Sequence, residues 1–140
     1  MTYIVTKTML QSSKTEYMVY FTYISDGHDL IKYVLYDSSE VAGLAERSDS
    51  YNCSILQIDY SIESDGVNKP TSARLWWDAT TDVLALTLPQ GVQQRDFRPI
   101  VGENGLPNIG GVGKTGDILL DLINISNRAT AVIILKLKTF

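Results

Sequence analysis

The residues of this chain that could do chemistry are few and scattered. Gly110-Gly111-Val112-Gly113-Lys114-Thr115 ends like a phosphate-binding loop, in which backbone N–H groups cradle phosphates and the lysine reaches the terminal ones. That pattern also needs a glycine at position 108, where this chain has Asn108, with a buried strand before it and a helix after it. Here Asn104-Gly105-Leu106-Pro107 precedes, and Gly116-Asp117-Ile118-Leu119-Leu120 follows with strand character and an acid that would repel phosphate. The segment reads as a glycine-rich loop entering a strand. Cys53 and His28, the sole residues of their types, could pair as nucleophile and base, but no orienting amide or glycine elbow accompanies them, and a lone cysteine is more often a buried thiol. Asp78 and Asp82 flank one turn, and Asp59, Glu63 and Asp65 gather at the end of a strand. Calcium wants several oxygens from one loop, and a glycosidase wants two carboxyl groups across a deep cleft that so small a domain rarely holds. Turn chemistry and a solvated edge account for these acids. No catalytic, cofactor-binding or metal-ligating residue is assigned.

Side chains suited to contact are easier to find. Trp76 and Trp77 are adjacent on a strand and must face opposite ways, so at most one enters a core and the other is covered by a loop or another molecule. Gln93-Gln94-Arg95-Asp96-Phe97-Arg98 sets two arginines around an aromatic, a mixture that interfaces favour, although Phe97 could equally tuck into the edge of its own domain. Five of the eight tyrosines, Tyr17, Tyr20, Tyr23, Tyr33 and Tyr36, fall in two neighbouring segments whose faces would both be aromatic, as suits packing between a core and a neighbouring subunit.

The elements that must position these residues are strands. In Ser54 to Ile62, Leu56, Ile58, Tyr60 and Ile62 alternate with Gln57, Asp59 and Ser61, a period of two. Tyr17 to Ile24 is an unbroken β-branched and aromatic run, expected to be covered on both faces or central. It ends at Ser25-Asp26-Gly27, which predicts a tight turn with His28 to Tyr36 returning as the antiparallel partner. Ala73 to Trp77 and Val83 to Leu88 flank the polar Asp78-Ala79-Thr80-Thr81-Asp82 and read as a second hairpin. Asp117 to Ile125 and Thr130 to Lys138 would be the last strands, with Ile133, Leu135 and Leu137 on one face of the second and Lys136 and Lys138 on the other. Ser38 to Arg47 is the sole helical candidate, short and weakened by Gly43. Six glycines between 102 and 116 mark one long loop. Eight or so strands with short polar connections predict an all-β antiparallel sandwich of jelly-roll or immunoglobulin-like type, with one short helix at most.

Size and composition agree. The 140 residues suit a single domain, 1–140, with a possible N-terminal arm strand over 1–12 and the glycine-rich loop over 102–116. Hydrophobic residues make up 44% and charged residues 20%, which excludes disorder and coiled coil. A formal charge of -4 repels phosphates, so neither nucleic acid nor an anionic membrane is an expected partner. No apolar run approaches signal-peptide or membrane-spanning length, and the expectation is a protein made and kept in a soluble phase.

The order of segments then resembles a known group. Ile24-Ser25-Asp26-Gly27, Val34-Leu35-Tyr36-Asp37-Ser38, Cys53-Ser54-Ile55-Leu56, Trp77-Asp78-Ala79-Thr80-Thr81-Asp82, Arg95-Asp96-Phe97-Arg98, Gly105-Leu106-Pro107-Asn108 and Gly113-Lys114-Thr115-Gly116-Asp117-Ile118-Leu119-Leu120 together are similar to small all-β virion proteins of tailed bacteriophages, of the capsid decoration (cement) type. The likeness runs from about Tyr17 to the end, and Arg98 to Asn104 departs from it. It implies a structural role without catalysis or cofactor, the major capsid protein and copies of itself (trimer or dimer) as partners, and a place on the capsid surface after synthesis in the host bacterial cytoplasm. Under it the interface candidates are Trp76, Trp77, Arg95, Phe97 and Arg98, with Tyr3, Ile4 and Val5 opening a segment that could add to a partner's sheet edge. A tail or neck component and a host-surface carbohydrate-binding module are the alternatives.

Overall fold

The computed structural model describes residues 4–13, 15–38, 53–63, 72–123 and 127–139. Along the chain run β1 (Ile4–Gln11), β2 (Glu16–Asp26), β3 (Leu30–Tyr36), β4 (Cys53–Glu63), β5 (Ser72–Trp77), β6 (Val83–Leu88), β7 (Gly91–Asp96), the single helical turn α1 (Arg98–Val101), β8 (Leu106–Pro107), β9 (Ile118–Ile123) and β10 (Asn127–Thr139). They form two antiparallel sheets, β1-β2-β10-β4-β7 with β8 beside β4, and β3-β9-β5-β6.

The pairings are nested. Leaving aside β1 and two-residue β8, first pairs with last (β2 with β10), second with second-last (β3 with β9), then β4 with β7 and β5 with β6. One long ribbon, closed at its tip by the β5–β6 hairpin, is wrapped so that successive pairs alternate between the sheets. That is the jelly roll, the first of the two sandwich types the strand pattern allowed.

This wrapping corrects one expectation. β2 and β3 are not a hairpin; they lie in different sheets, and β2 pairs instead with β1 and β10. The Asp-Gly signal is used to turn a corner. Gly27 has φ of 103°, its N–H donates to Ser25 Oγ, the His28 N–H donates to Asp26 Oδ1, and the Tyr23 hydroxyl donates to the His28 carbonyl at 2.6 Å. Side chains thus satisfy the turn that a two-residue hairpin would satisfy by ladder bonds. The gain is burial: Leu35 and Tyr36 of β3 face the inner side of β2 across the core instead of standing beside it.

The core lies between the sheets. Val19, Phe21 and Tyr23 of β2, Ile133, Leu135 and Leu137 of β10, and Ile58, Tyr60 and Ile62 of β4 face Leu120 and Leu122 of β9 and Leu75 and Trp77 of β5. The alternation read in β4 and β10 holds, except where β4 bulges opposite Lys136 and Leu137. There Leu56 is the extra residue: it is buried but stands outside the inter-sheet cluster, and Ile55 takes the inner place. The 102–116 segment is a loop as expected, apart from β8. Gly105 is required in it, because its φ is 68° and a Cβ there would run into the Ile55 carbonyl. The helical candidate Ser38 to Arg47 falls almost wholly outside the described residues.

Candidate interaction surface

The groups considered for catalysis are far apart or already engaged. Cys53 begins β4 opposite Thr139, whereas His28 follows the far end of β2, about 30 Å away along eleven residues of strand. Burial pushes the Cys53 thiol up to about 12, which keeps it protonated and unreactive. In the phosphate-loop look-alike, the Lys114 N–H donates to the Gly111 carbonyl and the Thr115 N–H to the Asp78 carbonyl, so these donors serve the loop itself. Asp78 accepts from the Thr115 hydroxyl at 2.7 Å, and Asp82 accepts from the Ala79 N–H at 3.1 Å, as turn chemistry requires. Among the described residues no three His, Cys, Asp or Glu side chains converge as a ligand set.

The interface candidates divide. Trp77 is 0% exposed in the core and is removed from any contact surface, because its strand parity turns it inward. Trp76 faces out but is pinned. Its Nε1 donates to Asp121 Oδ2 at 2.9 Å, and the Lys32 ammonium lies 3.5 Å from the ring centroid while pairing with Asp82 at 3.3 Å. Asp121 Oδ1 also accepts the Lys32 N–H at 2.7 Å, which holds Lys32 in the left-handed region at φ 51°. The outward tryptophan is therefore covered by its own chain. Arg95 sits on the inner parity of edge strand β7, opposite Ile58, with Nε and an Nη on Gln93 Oε1 at 3.2 and 2.9 Å. Arg98 grips Asp96 with two nitrogens at 2.9 and 2.7 Å and holds its carboxyl down at about 2. Phe97 packs against the core, and its N–H donates to the Leu56 carbonyl. Tyr3 lies outside the described residues. Ile4 and Val5 belong to β1, which is not a free arm: it pairs with β2 from Ile4 opposite Ile24 to Gln11 opposite Tyr17 and forms an edge of the larger sheet. The physical reason is local, since Val5 and Met9 cover the rim of the core that β2 would leave open.

Among the described residues, the outer face of the larger sheet is open. Its register places Ile4, Ile24, Thr130 and Glu63 in one row and Thr6, Thr22, Val132, Ser61 and Val92 in the next. Thr8, Tyr20, Ile134, Asp59 and Gln94 form the third, and Leu10, Met18, Lys136, Gln57 and Asp96 the fourth. Ile4 is 54%, Leu10 51% and Val92 72% exposed, and Tyr20, Ile24 and Val132 are exposed as well. The β1, β2 and β10 part of rows one to three carries only threonine, tyrosine and aliphatic side chains; charge enters at β4, β7 and the fourth row. An open depression of about 410 Å³ lies where Val132, Ile134, Asp59, Ser61, Val92 and Gln94 meet. Gln57 Nε2 steadies the Asp59 carboxylate at 3.3 and 3.4 Å.

Of the interface candidates read from residue type, Ile4 stands on this face, as does Tyr20 among the tyrosines expected to meet a neighbouring subunit. A signal was there: Tyr17 to Ile24 and Ala131 to Leu135 are apolar on both parities, so each had more to cover than one core. No family model, no curated protein and no solved structure matches this chain.

Proposed function

We propose that this protein is a structural component of a tailed-phage virion that binds the outer surface of the capsid and stabilises the assembled head. The observation that carries the reading is the aliphatic and threonine-rich outer face of the β1-β2-β10 part of the larger sheet, on a rigid sandwich whose candidate reactive groups are buried or engaged. The segment-by-segment resemblance to decoration proteins supports it from the sequence side. Five strands spaced about 4.8 Å apart and four rows about 6.7 Å apart make a face of roughly 400 Å². A specific interface needs about 500 Å² from each partner, so one such contact is weak alone. A shell presents the same contact many times. A protein that binds the closed lattice and not free subunits stabilises the lattice by mass action.

The test is binding to capsids stripped of the protein, followed by heating or osmotic shock. Glutamate at Tyr20, Ile24 or Val132 buries a charge in the contact and is expected to reduce occupancy at least tenfold, with the melting temperature of the isolated protein unchanged. Full occupancy by all three variants would remove the assignment of this face, and failure of the native chain to bind any capsid would remove the role.

One observation favours a second reading, a carbohydrate-binding module. The depression combines an apolar floor of Val92, Val132 and Ile134 with Asp59, Ser61 and Gln94 as hydrogen-bonding groups. Under that reading an oligosaccharide shifts the NMR signals of Ser61 and Gln94, and Asp59→Ala abolishes the shift without affecting capsid binding.

A further inference from the structure

We infer that β1 is a self-complementary edge along which two copies of this chain join across a twofold axis, merging their larger sheets into one. The inference does not depend on the shell-binding reading: it concerns the backbone edge of β1, although the outward side chains of that strand belong to the same face.

The four sheet edges differ. Strand β3 carries the left-handed residue Lys32 and two register shifts against β9. Strand β6 meets a bulge where β5 passes from Leu75 to Trp76. Strand β7 has six residues and turns Gln93 and Arg95 toward the core side, the inward-pointing polar groups that discourage edge pairing. Strand β1 has eight residues, neither glycine nor proline, and an unshifted register with β2 from end to end. Among the described residues no strand pairs with its other side, where every second residue aims its N–H and C=O away from β2, a template for another extended strand.

The side chains specify which strand. Ile4-Val5-Thr6-Lys7-Thr8-Met9-Leu10 is palindromic in chemistry about Lys7. Antiparallel pairing with Lys7 on the axis sets Ile4 against Leu10 of the second copy, Val5 against Met9 and Thr6 against Thr8, each twice. Aliphatic meets aliphatic, threonine meets threonine, and both faces keep their parity. On the outer face the exposed Ile4 and Leu10 would then abut, with Ile24 behind one and Met18 of the second copy behind the other, continuing the apolar rows across the joint. Only Lys7 meets its own kind. Its ammonium is drawn below the sheet, 3.3 Å from the Val34 carbonyl and 5.9 Å from the centre of the Tyr33 ring, so the two charges diverge from the axis. The residual repulsion makes the pairing weak and sensitive to salt.

Sedimentation equilibrium of the full chain up to about 1 mM should show a monomer–dimer equilibrium that tightens with added salt and tightens roughly two- to fivefold in Lys7→Gln. The double variant Thr6→Glu/Thr8→Glu sets like charges opposite one another twice and should return the protein to monomer with its circular dichroism unchanged. Independently of that variant's folding, Lys7→Cys should be linked between copies by a short bismaleimide, whereas Thr6→Cys or Thr8→Cys alone should be linked far less and a mixture of those two should be linked. A chain that is monomeric throughout, a dimer indifferent to the glutamates, or linking strongest through Thr8→Cys alone would each overturn the inference.

Discussion

Whether Trp76 is a docking anchor or part of the scaffold turns on Asp121. This carboxylate is 5% exposed and accepts two hydrogen bonds, from the Lys32 N–H at 2.7 Å and from Trp76 Nε1 at 2.9 Å, in the middle of the β3-β9-β5 ladder. Asp121→Ala removes both acceptors and offers nothing in their place. An unmet donor in a partly buried setting costs about 1–3 kcal/mol, so two cost about 2–6 kcal/mol, and the left-handed Lys32 loses the bond that holds its backbone. Asp121→Asn keeps one acceptor and should lose about half as much. The measurement is urea unfolding followed by tryptophan fluorescence: with a slope of about 1–3 kcal/mol per molar, the midpoint of Asp121→Ala should fall by at least about 0.7 M at unchanged slope. Native-state emission should move to longer wavelength as water reaches Trp76, while Trp77 stays dry. A loss below about 0.5 kcal/mol, typical of an ordinary surface change, would refute the idea that this cluster secures the smaller sheet and would return Trp76 to the list of contact residues.

Two further outcomes follow from the titrating groups. The two Arg98 nitrogens on Asp96 hold that carboxyl at about 2, so its folded pKa lies below its unfolded one; the stability it confers is present above the unfolded value and is lost as pH falls through the folded one. Arg98→Ala should move the Asp96 midpoint up toward the ordinary carboxylate range by carboxyl NMR, stopping short of it because the residue-98 N–H still donates to Oδ1, and should remove most of that acid-sensitive part of the stability. The Cys53 thiol, buried at 2% exposure and raised to about 12, should be labelled by iodoacetamide only as fast as the protein opens; rapid labelling of native protein at neutral pH would contradict the burial of this end of β4.

The parts of the fold legible in the sequence were those decided by neighbours in the chain. Period two placed Ile58, Tyr60 and Ile62 inward, adjacency forced Trp76 and Trp77 apart, and the short polar stretch at 78–82 closed a true hairpin. Partner choice was not legible. The pairing of β2 with β10 joins residues more than a hundred positions apart, and nothing local distinguishes a turn that returns the chain within a sheet from one that carries it across to the other; Ser25, Tyr23 and Asp26 decide it by bonding the backbone of Gly27 and His28. The bulge at Leu56 escaped for the same reason, since it exists only against β10 and in the bond from Phe97. Residue type alone does not separate a contact side chain from one bonded within its own chain. Tryptophan and arginine are favoured at interfaces, but the same hydrogen-bonding and stacking capacity lets them be consumed at home, as Trp76, Arg95 and Arg98 are.

That difference sets the two outer faces apart. On the smaller sheet the outward indole and the ammonium beside it have mates, the indole with Asp121 and the ammonium with the indole and Asp82, so a partner docking on them would have to break existing bonds before making new ones. On the larger sheet the threonines and aliphatics of β1, β2 and β10 are exposed, and burying them costs little beyond ordering side chains that β-branching has already stiffened. Association is driven by the surface whose desolvation is cheapest. A face of threonine, isoleucine and valine on a stiff jelly roll meets that condition, and it favours the five-stranded sheet over the tryptophan side as the place where this protein meets whatever it binds.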